Sequence, residues 1–264
     1  MKILVPVKQV ASIGGDFTLD GAGELDPRAL HWQANEWDAF SLEAALQLAE
    51  SSSAGEGFEV VVLTVADEHG EEGLRACLAM GADRALRVWD PALAGVDDPL
   101  AIAAVLAAVA RREDPGLILC GVQSSDSANA ATGVALAGLL DLARVAVVTA
   151  IEQDGGELRV ARELDGGAVE TLRLSLPALL TIQTGINEPR RANLRAIRQA
   201  RSKPLAVLAL SELDLDGAGV REAAGARTVR LLERERGGGA SMLEGPPAAI
   251  AGRVVELVTR ELRA

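Results

Sequence analysis

Apolar and polar residues alternate in blocks over roughly the first half of the chain, and the blocks predict strands and helices in turn. The apolar run from Ile3 to Val7 is rich in β-branched residues, which is typical of a strand buried on both faces of a parallel sheet. From Asn35 onward, apolar residues recur at helical spacing and predict an amphipathic helix. The same reasoning predicts strands at 58–65, 85–89 and 117–120, helices at 71–80 and 99–112, and a loop followed by a helix at 124–140.

This alternation, with its short connections, predicts the fold class. We expect an α/β fold with a doubly wound, mostly parallel sheet and helices on both of its faces. Ligands bind to such sheets beyond the carboxyl ends of the strands. The loops that follow the first, second and fourth predicted strands are therefore the expected position of a binding site.

The pattern changes in the second half of the chain. Strand-like segments at 145–151 and 158–162 flank a Gly-rich turn and predict a hairpin, and Asp165-Gly166-Gly167 predicts another turn. We expect these antiparallel strands to extend the sheet edge. The tract Gly237-Gly238-Gly239 and a final amphipathic helix from Pro247 to Leu262 predict a flexible connector that carries a helix to a distant docking site.

Composition narrows the class of protein. The chain has 264 residues and a formal net charge of −12. This negative charge would repel nucleic acids and anionic membrane surfaces, which argues against a general binder of either. Its apolar runs are shorter than the roughly 18 to 20 residues that span a bilayer, and the first residues do not resemble a signal peptide. We expect a soluble, cytoplasmic protein that binds no nucleic acid and has no membrane span.

The residues that usually carry chemistry are scarce. Cys77 and Cys120 each lie in an apolar stretch and are predicted to be core residues in a reducing compartment. His31 and His69 are too isolated for a shared metal site, so no metal is expected. The sequence offers no recognisable catalytic triad, reactive cysteine or carboxylate pair. This favours a binding or carrier module over an enzyme.

Aromatic residues make up only 2% of the chain, and tyrosine is absent. Ala, Leu and Val must then build the core. A planar ligand is expected to be held mainly by backbone groups, hydroxyls and aliphatic side chains, and an aromatic platform for stacking bases is disfavoured.

A polar segment, 121–133, follows a predicted buried strand and opens a predicted helix. Free N–H groups and hydroxyls at a helix start suit a phosphate. The alternative is ordinary N-capping of the helix by Ser125, Asp126 or Ser127. Both interpretations remain open, because the segment contains no established phosphate-binding motif.

A second polar cluster, Asn35-Glu36-Trp37-Asp38, opens the first helix. Asn or Asp in this position usually caps the helix, and Trp37 would ordinarily be a core residue. The alternative is that these side chains contact a base or a ribose.

The densest positive charge of this acidic chain lies within 186–204, where Leu194 stands among arginines. A lone apolar residue among rim charges resembles an interface anchor. The segment is interpreted as a partner-docking surface, with a solvated helix and a nucleic-acid patch as the alternatives.

Five motifs occur in a fixed order along the chain, and each alone is weak whereas the combination is specific. The set resembles the electron transfer flavoprotein β-subunit family over residues 1–205. The motifs are Met1–Val10 (MKILVPVKQV), Leu78–Arg84 (LAMGADR), Arg162–Gly167 (RELDGG), Leu176–Ala178 (LPA) and Asn187–Arg190 (NEPR).

The resemblance implies a heterodimer with an electron transfer flavoprotein α subunit and a β-chain fold related to adenine-nucleotide α hydrolases. It also implies two cofactors: a redox-active FAD that is shared but held mostly by the α subunit, and an AMP bound by the β chain. The expected cofactor-binding residues are Pro6, Asn35, Glu36, Trp37, Asp38, Val65, Gln123, Ser124, Ser125, Asp126, Thr132, Gly133 and Val134. No catalytic residue is implied, because the chain would be an electron carrier subunit.

The resemblance further implies a recognition loop whose partner-binding residues are Arg191, Leu194, Arg195 and Arg198. Flavin-dependent dehydrogenases, such as acyl-CoA dehydrogenases, would donate electrons, and a quinone oxidoreductase would accept them. The implied organisation is a nucleotide-binding domain over 1–185, a partner-recognition segment over 186–204, and a C-terminal extension and arm over 205–264 that contacts the α subunit.

Two other functions are compatible with these residues. One is the electron-bifurcating type of the same family, with a second FAD in place of AMP. The other is a stand-alone nucleotide-binding stress-type protein with the same sheet architecture, which would form a homodimer without a flavin partner.

Overall fold

The structure is a computed structural model that describes residues 1–13, 19, 30–51, 57–154, 156–229 and 240–262. The chain divides into two compact units, Met1–Arg230 and Leu231–Ala264. The described strands of the first unit, in chain order, are β1 (Lys2–Pro6), β2 (Gln9–Ile13), β3 (Leu30–Ala34), β4 (Glu59–Val65), β5 (Arg84–Val88), β6 (Leu117–Gly121), β7 (Ala143–Asp154), β8 (Glu157–Glu163), β9 (Val169–Ser175), β10 (Ala178–Ile182) and β11 (Leu205–Leu208).

Helices follow most of the parallel strands. Those of the first unit are α1 (Glu36–Ser51), α2 (Gly70–Met80), α3 (Pro99–Glu113), α4 (Thr132–Leu140), α5 (Leu194–Ala200) and α6 (Gly217–Glu222). Short 3₁₀ turns lie at Pro91–Leu93, Asp165–Gly167 and Leu210–Leu213. No helix in the described ranges is long and apolar enough to cross a membrane.

Nine of the described strands form one sheet in the order β11-β5-β4-β1-β6-β10-β7-β8-β9. Parallel ladders join every neighbouring pair from β11 to β7, and β8 and β9 extend the sheet as antiparallel strands. The predicted fold class, a mostly parallel sheet with antiparallel strands added at one edge, is confirmed.

Two hydrophobic cores cover the two faces of the sheet. Because side chains alternate along a strand, Ile3 and Val5 of β1 pack into the core that includes buried residues of α1 and α2. Leu4, between them, belongs to the core formed with α3 and α4. Cys77 and Cys120 are buried in these cores, as predicted, and burial raises the pKa of the Cys77 thiol to about 12.

Three parts of the fold differ from the sequence-based expectation. Strand β10 lies in the interior of the sheet, between β6 and β7, in a segment for which no strand was predicted. Strand β11, for which no strand was predicted, pairs with β5, and the first unit extends to Arg230. Strands β2 and β3 form a separate antiparallel hairpin directly after β1, in a region for which no strand was predicted.

The second unit contains α7 (Pro247–Glu261), and this agrees with the predicted final helix. Within that unit no residue of α7 is buried, and Val254, Val255 and Val258 are exposed on it. The Gly237-Gly238-Gly239 tract lies outside the described residues.

Candidate functional site

A cavity of about 350 Å³ lies at the carboxyl ends of the central strands. Residues at or just beyond the ends of four neighbouring strands line it: Pro6 for β1, Val65 for β4, Trp89 for β5 and Gly121 for β6. This is the edge of the sheet at which the fold class predicted a ligand.

Nine of the thirteen predicted cofactor-binding residues line this cavity. They are Pro6, Asn35, Asp38, Val65, Gln123, Ser124, Asp126, Thr132 and Gly133. The other four, Glu36, Trp37, Ser125 and Val134, are not part of its lining. The Trp37 indole instead donates to Gln183 Oε1 at 3.3 Å, on the side of α1 that faces the segment after β10.

Asn35 joins the start of α1 to the loop that follows β6. Its side-chain amide donates to the carbonyl of Gln123 at 2.9 Å, and its Oδ1 accepts from the backbone N–H of Ser125 at 3.2 Å. The side chain is almost fully buried, so these bonds compensate its desolvation. Asn35 therefore fixes one wall of the cavity.

Asp38 makes a second link between the strand ends. Its carboxylate accepts the backbone N–H of Lys8 at 2.7 Å and that of Gly121 at 3.2 Å. Burial raises the pKa of Asp38 to about 7, although both N–H groups and the Lys8 charge act in the opposite direction. A Cβ at Gly121 would collide with this carboxylate and with Trp37, so glycine is required here.

The polar end of the cavity gathers around Lys8. The ammonium of Lys8 lies 2.8 Å from Asp126 Oδ1 and donates to the hydroxyls of Ser124 and Ser127 at 3.3 and 3.2 Å. Hydrogen bonds and the Lys8 charge hold the pKa of Asp126 below its ordinary value, although burial alone would raise it. The predictions did not include Lys8, because one Lys after a strand carries no signal until the fold brings the β6–α4 loop beside it.

The capping alternative for the Ser-rich segment is wrong. Helix α4 begins at Thr132, and its N-cap is Ala131, which offers no side-chain cap. Ala128 and Ala130 have positive φ angles of 50° and 51°. The backbone therefore turns between the serine hydroxyls of this loop and the start of α4. The first N–H groups of α4, at the cavity wall, therefore lack a side-chain acceptor from this segment and can bind an anion.

The opposite end of the cavity is apolar and partly aromatic. Leu63, Val65, Trp89 and Leu106 line it, and Trp32 of the β2–β3 hairpin lies at the same cavity. The low aromatic content disfavoured an aromatic platform for a base, and that expectation stays a prediction. The chain has few aromatic residues, but two of its tryptophans lie here.

Comparison with known proteins adds an independent line of evidence. A family model described as "Electron transfer flavoprotein domain" matches residues 24–213. The chain is also 40% identical over 261 residues to the electron transfer flavoprotein subunit beta of Methylophilus methylotrophus, covering 98% of both chains. The chain belongs to the electron transfer flavoprotein β-subunit family. The human subunit beta is 35% identical over 219 residues, covering 82% of this chain and 84% of the human one, and the Bacillus subtilis subunit is 32% identical over 242 residues, covering 91% of each.

All four predicted partner-binding residues are exposed. Arg191, Arg195 and Arg198 are exposed, and Leu194, the first residue of α5, has 74% of its surface accessible. Asn193 caps α5 by accepting the N–H of Ala196 at 2.9 Å, which fixes the start of the helix beside Leu194.

Two other basic residues of the same segment bind groups elsewhere in this chain. The guanidinium of Arg190 binds the carboxylates of Glu43 and Glu50 on α1. Lys203 donates to three backbone carbonyls at the end of α2, those of Leu78, Gly81 and Ala82. The exposed positive surface of this chain is therefore smaller than its sequence indicates.

Among the described residues, no cluster of His, Cys, Asp and Glu could hold a metal ion.

Proposed function

We propose that this chain is the β subunit of a heterodimeric electron transfer flavoprotein and that it binds AMP in the cavity at the carboxyl ends of its central strands. As a carrier subunit it would accept electrons from flavin-dependent dehydrogenases, such as acyl-CoA dehydrogenases, and pass them toward a quinone oxidoreductase. The observation that carries the AMP proposal is the polarity of the cavity, which has a polar end around Lys8 and an apolar end.

The donor groups of the cavity fit a nucleotide monophosphate. The Lys8 ammonium, the hydroxyls near it and the first N–H groups of α4 are suited to a phosphate. The apolar end is suited to a base.

The size of the cavity suits AMP. About 350 Å³ lies within the range of small-molecule sites, which span about 300 to 1,000 Å³. The electron-bifurcating type, with a second FAD in place of AMP, is distinguished by the test below.

The redox chemistry belongs to the FAD, which carries single electrons when bound. The FAD would be held mostly by the α subunit, so no residue of this chain is assigned to its flavin ring. The groups at the cavity are instead suited to AMP, a nucleotide with one anionic end. The β chain would bind AMP, complete the FAD enclosure and present the docking surface.

The exposed residues of 191–198 support a docking role. Leu194 projects an apolar side chain from a surface that carries three arginines, and acidic partners would be attracted to that surface before Leu194 is buried. Helix α7 supports the other contact: its exposed valines form an apolar face within its own unit, and we propose that the α subunit covers it. The buried cysteines support a cytoplasmic location.

The test is to co-express the chain with an electron transfer flavoprotein α subunit, release the ligands with acid and identify them by chromatography. One FAD and one AMP per heterodimer is the expected result. Two FAD would establish the bifurcating type, and a homodimer without any flavin partner would overturn the proposal.

A variant tests the position of the phosphate. Lys8→Met should lower the affinity for AMP by about tenfold or more, because a hydrogen bond to a charged group contributes about 1.5 to 3 kcal/mol. Lys2→Met is the matched control, since Lys2 lies at the opposite end of β1 and pairs with Glu113 at 3.3 Å. Equal AMP affinity in the two variants would contradict this position of the phosphate.

A further inference from the structure

The β2–β3 hairpin brings an aromatic side chain to the cavity from outside the main sheet. Trp32, on β3, pairs with Ala11 on β2 and lines the cavity, although 43% of its surface is exposed. Because the hairpin starts directly after Lys8, it rises from the polar end of the cavity. Successive residues of a strand are about 3.4 Å apart, so Trp32, two positions from the hairpin base at Ala34, stands about 7 Å along it.

The Trp32 ring is held by a second ring from a different element. His69, the residue immediately before α2, stacks on Trp32 with ring centroids 5.5 Å apart and planes at 30°. His69 is itself oriented by Asp67, whose Oδ1 lies 3.0 Å from the ring Nδ1 and 3.1 Å from the backbone nitrogen of His69. All three residues line the cavity. The stack therefore joins the hairpin to the β4–α2 loop at the cavity wall.

We infer that Trp32 and His69 are nucleotide-contacting residues: the stacked pair covers the ligand where the hairpin meets the β4–α2 loop. This inference rests on the proposed function, since it takes AMP as the occupant. The polar end already supplies the phosphate contacts, and the apolar wall of β4 and β5 supplies one side for the base. Trp32 adds a planar surface on the solvent side, which stacks on an aromatic ring and excludes water from it.

The pair would determine how long the ligand stays. The stacked rings lie at the cavity wall, so a nucleotide that leaves the cavity would lose its contact with them. Loss of Trp32 should therefore act on the dissociation rate. The contacts of Lys8 with the phosphate end are left in place, since Trp32 makes none of them.

The test measures the dissociation of AMP from the heterodimer with the α subunit, using radiolabelled AMP chased by an excess of unlabelled AMP. Trp32→Ala should release AMP at least about fivefold faster than the unaltered protein, because stacking of a base on an aromatic side chain contributes about that factor or more. Trp32→Phe, which keeps a ring, should give an intermediate rate.

His31→Ala is the matched control. His31 neighbours Trp32 on the same strand, is exposed and is not part of the cavity lining, so its removal perturbs the hairpin without removing a ligand contact. His69→Ala breaks the stack from the opposite element without altering the hairpin, and it should also accelerate release. Equal release rates for Trp32→Ala and His31→Ala, or an unchanged rate in His69→Ala, would overturn the inference.

The failure of the inference and that of the proposed function are distinguishable. If the unaltered heterodimer retains no AMP, the proposed function fails. If it retains AMP and Trp32→Ala releases it at the unaltered rate, only the role of the aromatic pair fails.

Discussion

Arg190 attaches the segment before the docking surface to helix α1, and its removal should destabilise the protein strongly. Its guanidinium makes a bidentate contact with Glu43, through Nε at 2.8 Å and a terminal nitrogen at 2.9 Å, and the same group reaches Glu50 at 3.0 Å. The backbone N–H of Arg190 also donates to Glu43 at 3.1 Å. We predict that Arg190→Ala has a larger effect on folding than any exposed charge of the same segment.

The carboxylates of Glu43 and Glu50 differ in burial, and this difference determines how much stability Arg190→Ala should lose. The side chain of Glu43 is 5% exposed and that of Glu50 is 60% exposed. Removing the partner of a buried charge costs about 3 to 5 kcal/mol, whereas an exposed pair contributes about 0 to 1 kcal/mol. Because the backbone N–H of Arg190 remains, we expect the lower end, about 3 kcal/mol, which lowers Tm by about 6 to 12 °C in a domain of this size.

Thermal unfolding of the chain at neutral pH measures the effect, and Glu50→Gln is the control that removes only the exposed pair. The bonds and charge of Arg190 hold the pKa of Glu43 below its ordinary 4.5, although burial alone would raise it. Its contribution to stability is therefore present above that value and is lost as pH falls through the lowered pKa. Arg190→Ala should lack this acid-side loss. A Tm decrease no larger than that of Glu50→Gln would refute the reasoning.

Two further predictions concern the site and the docking surface. Asp38 has its pKa raised by burial from 3.8 to about 7, so its contribution to stability declines as pH rises between these values, and Asp38→Asn should remove that decline in urea unfolding measured across this range. Leu194→Ala should raise KM for reduction by a partner dehydrogenase without changing Tm or flavin content, whereas Val207→Ala, an exposed control on β11, should leave KM unchanged. An unaltered KM in Leu194→Ala would contradict the docking role.

Periodicity was sufficient for strands β1, β4, β5 and β6 of the parallel sheet. The strands around Ile3, Val62 and Ile118 are continuous apolar runs because both of their faces are covered. Strand β10 is equally apolar at Ala178–Ile182, but its position between β6 and β7 depends on pairing with segments far away in the chain. The local pattern carries no information on that pairing, and no strand was predicted for this segment.

The site was predicted where its residues follow strands and missed where they depend on tertiary packing. Asn35, Asp38 and Thr132 stand at or near predicted helix starts, where the fold class and the family resemblance together placed the site. Trp32 and His69 lie on a hairpin and a loop whose approach no sequence spacing encodes. The low aromatic content even argued against them, because composition describes an average and a binding site uses individual residues.

Helix α1 connects the two functional surfaces of the subunit. Its first turn carries Asp38, which binds the backbone of the strands below the cavity. Further along, the carbonyl of Phe40 accepts from Asn187 at 3.0 Å, and Glu43 binds Arg190. A nucleotide that binds only the folded state stabilises it in proportion to the logarithm of its concentration over Kd. AMP in the cavity would thus stabilise the helix to which the proposed docking segment is attached.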